Sequence, residues 1–96
     1  MYYRFTKVKH DPSKYDTIMD YADNTVKPQL GSIEGLNQVQ AVSLSDSEMM
    51  VIAAYDTEEN AAKGAMKAMA IFGGMAAMLT AAPEQYGGEV VWDSNT

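Results

Sequence analysis

The chain has 96 residues, which suits a single domain over residues 1–96, and 47% of it is apolar or aromatic (AVILMFWYC), enough for a packed core. It contains no cysteine, which excludes disulfide bonds and thiol chemistry. Its formal net charge of -6 at pH 7 repels phosphate groups, so neither nucleic acid nor an anionic membrane is an expected partner.

The first third of the chain predicts a strand followed by a helix. Tyr2–Lys9 is rich in aromatic and β-branched residues, a composition typical of a β-strand. Asp11 is placed to cap a helix that begins at Pro12, and Pro28 and Gly31 mark its end. Because the strand pattern begins at Tyr2, no signal peptide is expected. Together with the lack of cysteine, this favours a cytoplasmic location.

Residues 36–44 and 48–55 predict a second and a third strand, joined by a turn at residues 45–47. The third strand contains seven consecutive apolar residues, 49–55, whereas a strand with one wet face would alternate. A tight hairpin requires antiparallel pairing, and two helices cover only one face of a four-stranded sheet. We therefore expect a second copy of the chain to cover the other face and form a homodimer.

The segment Asp56-Thr57-Glu58-Glu59, with a capping residue and an acidic first turn, predicts the start of a second helix, and Gly73-Gly74 predict a bend or break in it. Pro83 ends this region, and residues 89–92 predict the last strand. The uncharged stretch 68–83 is shorter than the roughly 20 residues of a membrane span. The resulting β-α-β-β-α-β order predicts a ferredoxin-like α+β fold with a four-stranded antiparallel sheet. The expected apolar stripe of the second helix comprises Met66, Met69, Phe72, Ala76 and Leu79.

Four segments then carry a resemblance to a known family. They are the opening strand with its Asp11-Pro12 helix start, residues 26–30 before a strand start at Gly35, the acidic residues 56–59, and the closing residues 88–92. Over nearly its whole length the chain resembles the antibiotic biosynthesis monooxygenase-like group of dimeric α+β barrel proteins. The resemblance implies a homodimer whose sheets pack face to face, with a pocket between helices and sheet in each subunit. Many members are cofactor-free oxygenases that act on polyphenolic substrates, and others have no known activity.

One branch of that fold degrades haem with an Asn on the first strand, a Trp closing the third strand and a His on the second helix. This chain has no Asn in its first strand, closes the third strand with Tyr55, and has no His in its second helix. Haem degradation is therefore not expected. With a single histidine and no cysteine the sequence offers no metal-ligand set, so we expect neither a metal nor another cofactor.

Three residues are candidates for catalysis. Arg4 shares a strand face with apolar side chains and could stabilise a substrate anion, although ordinary solvated charge also accounts for it. His10 is the only histidine and could act as a general base, or could be an exposed loop residue. Tyr55, at the end of the third strand, could handle a proton or could simply pack in the core.

The expected function is that of a cofactor-independent monooxygenase-like protein acting on a small aromatic or quinol-type molecule. The alternative is a non-catalytic dimeric module that binds a small apolar or aromatic ligand or has a structural role. A closed core filled by Met side chains would favour the structural role. The candidate ligand-binding residues, each also explicable by packing, are Asn37, Met66, Met69, Phe72, Tyr86 and Trp92, of which Trp92 would form an aromatic wall.

Overall fold

A computed structural model describes residues 1–95 of the chain. The strands among these residues form one antiparallel sheet in the order β2-β3-β1-β4, with the helices connecting β1 to β2 and β3 to β4. The predicted ferredoxin-like α+β fold is confirmed. The main elements are β1 (Tyr2–Lys9), a helical segment over residues 12–30, β2 (Leu36–Ser45), β3 (Glu48–Tyr55), α3 (Glu58–Gly73) and β4 (Glu84–Glu89).

The two faces of the sheet follow from the pairing of β1 with β3. Val8 pairs with Met49, and both pack with Ile18 and Met75 from the helical regions, so this face is the one that the helices cover. Because side chains alternate along a strand, Arg4 lies on the same covered face.

The opposite face of the sheet is open in a single copy of the chain. It carries Tyr3 and Phe5, whose stacked rings have centroids 6.2 Å apart, together with Met50 and Ile52 from β3. These side chains are only partly buried. The apolar run in β3 therefore serves two different surfaces, one packed under the helices and one exposed.

The first helical segment is irregular rather than one continuous α-helix. Asp11 caps it as predicted, its Oδ1 accepting a hydrogen bond of 2.8 Å from the Ser13 backbone N–H. Pro28 lacks an N–H and its ring would clash with the carbonyl of Asn24 in a regular helix, which accounts for the wider π-type turn before it. The segment comprises a 3-10 turn at Pro12–Lys14, α1 at Tyr15–Tyr21, the π turn at Ala22–Val26 and α2 at Lys27–Leu30.

The second helical region breaks at the glycine pair, as the sequence predicts. α3 is capped by Thr57, whose side chain accepts a hydrogen bond from the Asn60 N–H, and it ends at Gly73; a 3-10 turn at Ala76–Met78 follows. The expected apolar stripe is wrong in its orientation. Ala61, Gly64 and Ile71 are the buried residues of α3, whereas Met66 is 81% exposed.

The last strand lies earlier in the chain than residues 89–92. β4 spans Glu84–Glu89 and pairs with β1, and the Val90 N–H extends this pairing by donating a 3.0 Å hydrogen bond to the Met1 carbonyl. Trp92 follows the strand and is 79% exposed. Among residues 1–95, none of the helices is long and apolar enough to cross a membrane.

Candidate functional site

A cavity of about 150 Å³ lies between the helices and the covered face of the sheet. Its walls come from all four strands, from the first helical segment, including its π turn, and from α3. Most of the lining is apolar, and the residues with polar side-chain atoms are Arg4, Thr6, Tyr55 and Gln85. The apolar lining comprises Ile18, Met19, Ala22, Val26, Leu30, Ile33, Leu36, Val39, Ala41, Met49, Val51, Ala53, Ala65, Ala68, Ile71, Phe72 and Met75.

Arg4 is the cation of this cavity. It pairs with Ala53 on one side and Gly87 on the other, and the Tyr2 ring fills the space over Gly87. Its Nε is buried and has no hydrogen-bond partner within residues 1–95, and none of the described carboxylates forms an ion pair with it. Burying an unpaired donor of a charged group is costly, so an anion in the cavity would satisfy a donor that the protein itself leaves open.

Tyr55 lies beside Arg4 on the covered face. It is 3% exposed, and its Oη lies against Gly64 of α3, where even a Cβ would come within 3.0 Å of that oxygen. Burial raises the pKa of the Tyr55 hydroxyl, and the Arg4 guanidinium offsets part of that rise. Tyr55 therefore remains a neutral phenol at neutral pH, able to donate a hydrogen bond or a proton into the cavity.

Thr6 and Gln85 are cavity residues that the sequence does not reveal. Thr6 is buried on β1 and Gln85 faces it from β4, so two uncharged polar side chains stand side by side along the cavity wall. Thr6 looks like an ordinary β-branched strand residue, and Gln85 lies outside the segment predicted as the last strand. The alternation of β1 was the one available signal, because Thr6 is two residues from Arg4 on the same face.

A second, shallower cavity of about 610 Å³ borders the first and is called the outer groove here. It runs between the end of α3 and β4, and Phe72 and Gln85 line both spaces. The other lining residues of the outer groove are mostly small and uncharged: Met69, Gly73, Ala76, Leu79, Thr80, Ala81, Ala82 and Pro83.

His10 does not line either cavity. The expectation of an exposed loop residue is also wrong, because His10 is 2% exposed. Its backbone N–H donates to the Ser47 carbonyl at 2.8 Å, its Nδ1 lies 3.0 Å from the Asp11 carbonyl oxygen, and its ring packs near Tyr15. These contacts make His10 a structural residue that fixes the end of β1.

The other candidate ligand residues are dispersed. Phe72 lines the cavity, and Met69 lines only the outer groove. Tyr86 pairs with Phe5 on the open face, and Asn37 is exposed and donates a 2.8 Å hydrogen bond to Asp56. Met66 and Trp92 project from α3 and the tail, and neither is among the residues that line the cavities. Met66 and Met69 are exposed because α3 turns Ala61, Gly64 and Ile71 toward the sheet.

No group of three or more His, Cys, Asp or Glu side chains within residues 1–95 is arranged to hold a metal ion. The fold and the site together define a ferredoxin-like α+β domain with an apolar cavity between helices and sheet and an arginine on the cavity wall.

No family model and no curated protein sequence matches the chain. Solved structures with the same fold do match it over almost their whole lengths. A candidate antibiotic biosynthesis monooxygenase from Caulobacter crescentus superimposes with a TM-score of 0.78 at 13% identity, covering 95% of this chain and 90% of that one. The NE2512 protein of unknown function from Nitrosomonas europaea gives a TM-score of 0.76 at 17% identity, covering 97% and 91%.

A monooxygenase from the gene ActVA-Orf6 of Streptomyces coelicolor, solved in complex with the ligand Nanaomycin D, gives a TM-score of 0.74 at 13% identity. The match covers 96% of this chain and 92% of that one. The chain therefore has the fold of structures named as antibiotic biosynthesis monooxygenases.

Proposed function

We propose that this protein is a cofactor-independent monooxygenase-like enzyme acting on a small aromatic or quinol-type molecule. The observation that carries the proposal is Arg4, whose buried Nε is unpaired within residues 1–95 and lies on the wall of an apolar cavity. The likeness to structures named as monooxygenases supports the same class of chemistry, although that likeness is one of fold.

The chemistry needs an electron-rich anion held in a dry site. A quinol that binds with one oxygen at Arg4 releases its proton to solvent and stays as a phenolate, because a fixed positive charge favours the anion. The phenolate transfers one electron to O₂, and the resulting superoxide and semiquinone combine to form a C–O bond at a ring carbon. No cofactor is required, since the substrate itself supplies the electrons.

Tyr55 would complete the reaction. Its hydroxyl, kept neutral by burial, gives a proton to the peroxide anion and is reprotonated from solvent. The O–O bond then breaks, the ring carbon loses its hydrogen as a proton, and hydroxide leaves and combines with that proton. The balance is quinol plus O₂ giving hydroxyquinone plus water, with one oxygen atom retained on the ring.

Oxygen uptake with a panel of quinols and anthrones tests this proposal. The wild type should consume O₂ faster than the spontaneous oxidation of at least one quinol, and with ¹⁸O₂ one labelled oxygen atom should appear in the product. Arg4→Gln should slow turnover by about 10²–10³, the effect of removing one electrostatic stabiliser of a transition state. Lys7→Gln, which removes a charge from the other face of the same strand, is the matched control and should leave the rate unchanged.

If O₂ uptake were no faster than the spontaneous rate for any compound, the proposed monooxygenase activity would be contradicted. If some of the same compounds nevertheless raised the melting temperature of the wild type and not of Arg4→Gln, the non-catalytic ligand-binding module would replace it.

A further inference from the structure

The cavity between the helices and the covered face, called the inner cavity from this point, meets the outer groove at Phe72. Phe72 and Gln85 line both the inner cavity of about 150 Å³ and the outer groove of about 610 Å³, so these two side chains lie where the two spaces meet. A dry protein cavity of about 150 Å³ lined by aliphatic and aromatic side chains takes up benzene. The inner cavity therefore has the volume for one aromatic ring, and a second fused ring directed toward the outer groove would meet Phe72.

Phe72 is the bulky member of this boundary and is held in place. It lies in the last turn of α3 and packs against the core cluster of Val8, Ile18, Met49 and Met75. Shortening the Phe72 side chain would join the two spaces.

The polar groups of the inner cavity match a ring with two oxygens. Arg4 and Thr6 are two residues apart on β1, so their Cα atoms are about 7 Å apart along the extended strand. Gln85 stands opposite Thr6. A single ring with one oxygen at Arg4 can place a second oxygen near Thr6 and Gln85, whereas none of the residues that line the outer groove carries a charge.

We propose that the substrate is a single-ring dihydroxybenzene and that Phe72 determines this size limit by separating the inner cavity from the outer groove. The inference rests on the proposed function for the site, and it adds the substrate class and a specificity-determining residue.

Binding of a size series tests the proposal without turnover. Phenol, 2-naphthol and 2-anthrol present the same hydroxyl on one, two and three fused rings, and calorimetry under anaerobic conditions gives their dissociation constants. The wild type should prefer phenol over 2-anthrol by at least about tenfold, the discrimination that an apolar pocket achieves against added bulk. Phe72→Ala should reverse this preference, and Met69→Ala, which changes only the outer groove, should keep the wild-type order.

Phe72→Leu provides a milder variant should Phe72→Ala unfold, and it should admit 2-naphthol. Equal or tighter binding of 2-anthrol by the wild type would overturn the size limit, as would an unchanged order in Phe72→Leu or the absence of binding by all three probes. Size-selective binding without O₂ uptake with any quinol would instead leave the size limit standing and refute the monooxygenase, so the two failures are distinguishable.

Discussion

Tyr55 is the buried titratable side chain beside Arg4, and its environment has a consequence for stability. Burial raises the pKa of its hydroxyl above the ordinary value of 10.0, and the positive charge of Arg4 offsets part of the rise. The folded protein thus holds this proton more tightly than the unfolded chain does. Tyr55 contributes stability that is fully present below about pH 10, the unfolded value, and is lost as the pH rises through the higher folded pKa.

Tyr55→Phe removes this ionisation. We expect the free energy of unfolding of the variant to fall less steeply above pH 10 than that of the wild type, measured by urea unfolding at fixed protein concentration over a pH series. The matched control is Tyr15→Phe, which removes a hydroxyl from an exposed side chain of the first helical segment, away from the open face, and it should follow the wild-type slope. Parallel slopes for Tyr55→Phe and the wild type would contradict the burial of this proton.

Part of the candidate site can be predicted residue by residue from the sequence. The period of two along a strand is fixed by geometry, so the face that Arg4 shares with apolar side chains follows from the pattern of β1. The side of α3 that packs on the sheet cannot be predicted in this way, because a helix that is apolar over a wide arc has no single apolar stripe. The close approach of Gly64 to Tyr55 and Ile33 fixes the orientation of α3 on the sheet, and this orientation leaves Met66 exposed.

At the level of secondary-structure elements, the break after α3 depends on a contact with the first helical segment. The Tyr21 hydroxyl donates a 2.9 Å hydrogen bond to the Ile71 carbonyl, in the last turn of the helix. The hydroxyl occupies the place where a Cβ on Gly74 would stand. Gly74 has a φ of -67°, which any residue adopts, so the need for glycine here is steric and not conformational.

Alanine substitutions at the two glycines should therefore have opposite effects on stability. Gly74→Ala should destabilise the fold by about 1–3 kcal/mol, because the new methyl group displaces Tyr21. Gly73→Ala meets open space and should stabilise it by about 0.5–1 kcal/mol through helix propensity. Thermal or urea unfolding of both variants measures the difference. Adding Tyr21→Phe to Gly74→Ala should recover part of the loss, and equal effects of the two glycine substitutions would contradict this packing.

Among the strands within residues 1–95, the position of β4 is the one that the sequence predicts wrongly. Residues 90–92 have high β-propensity, whereas the observed strand Glu84–Glu89 contains two glycines and two glutamates. Pairing to the free edge of β1 overrides propensity, and the Tyr2 ring lies directly over Gly87, where a Cβ would clash with it. β1 and β3 have strong local signals and their bounds are predicted correctly, because apolar β-branched and aromatic runs are decisive without a partner.

At the scale of the whole molecule, the open face of the sheet favours assembly. Tyr3, Phe5, Met50 and Ile52 form an apolar surface opposite the helices. A domain of 96 residues without disulfides buries a modest fraction of its surface, so burying this face would add stability that a single copy lacks. We propose that a second copy covers the face, in a homodimer with two-fold symmetry.

Native mass spectrometry and light scattering at micromolar concentration measure this directly. The wild type should be a dimer, and Ile52→Lys should be a folded monomer, because a charge at the centre of the interface cannot be paired there. Met66→Lys places the same charge on the outer surface of α3 and should remain dimeric. A monomeric wild type would refute the interface.

The stabilisation of a substrate anion by Arg4 is tested most directly by the ionisation of a bound phenol. Absorbance titration of 4-nitrophenol bound to the protein reports the pKa of the probe inside the cavity. The wild type should lower that pKa by at least about one unit relative to water, as a neighbouring positive charge does. Lys7→Gln should lower the pKa of the probe by the same amount as the wild type. In Arg4→Gln the same probe should have a pKa at or above its value in water, because only the apolar surroundings remain. The same pKa in the wild type and in Arg4→Gln would show that Arg4 does not stabilise an anion in this cavity.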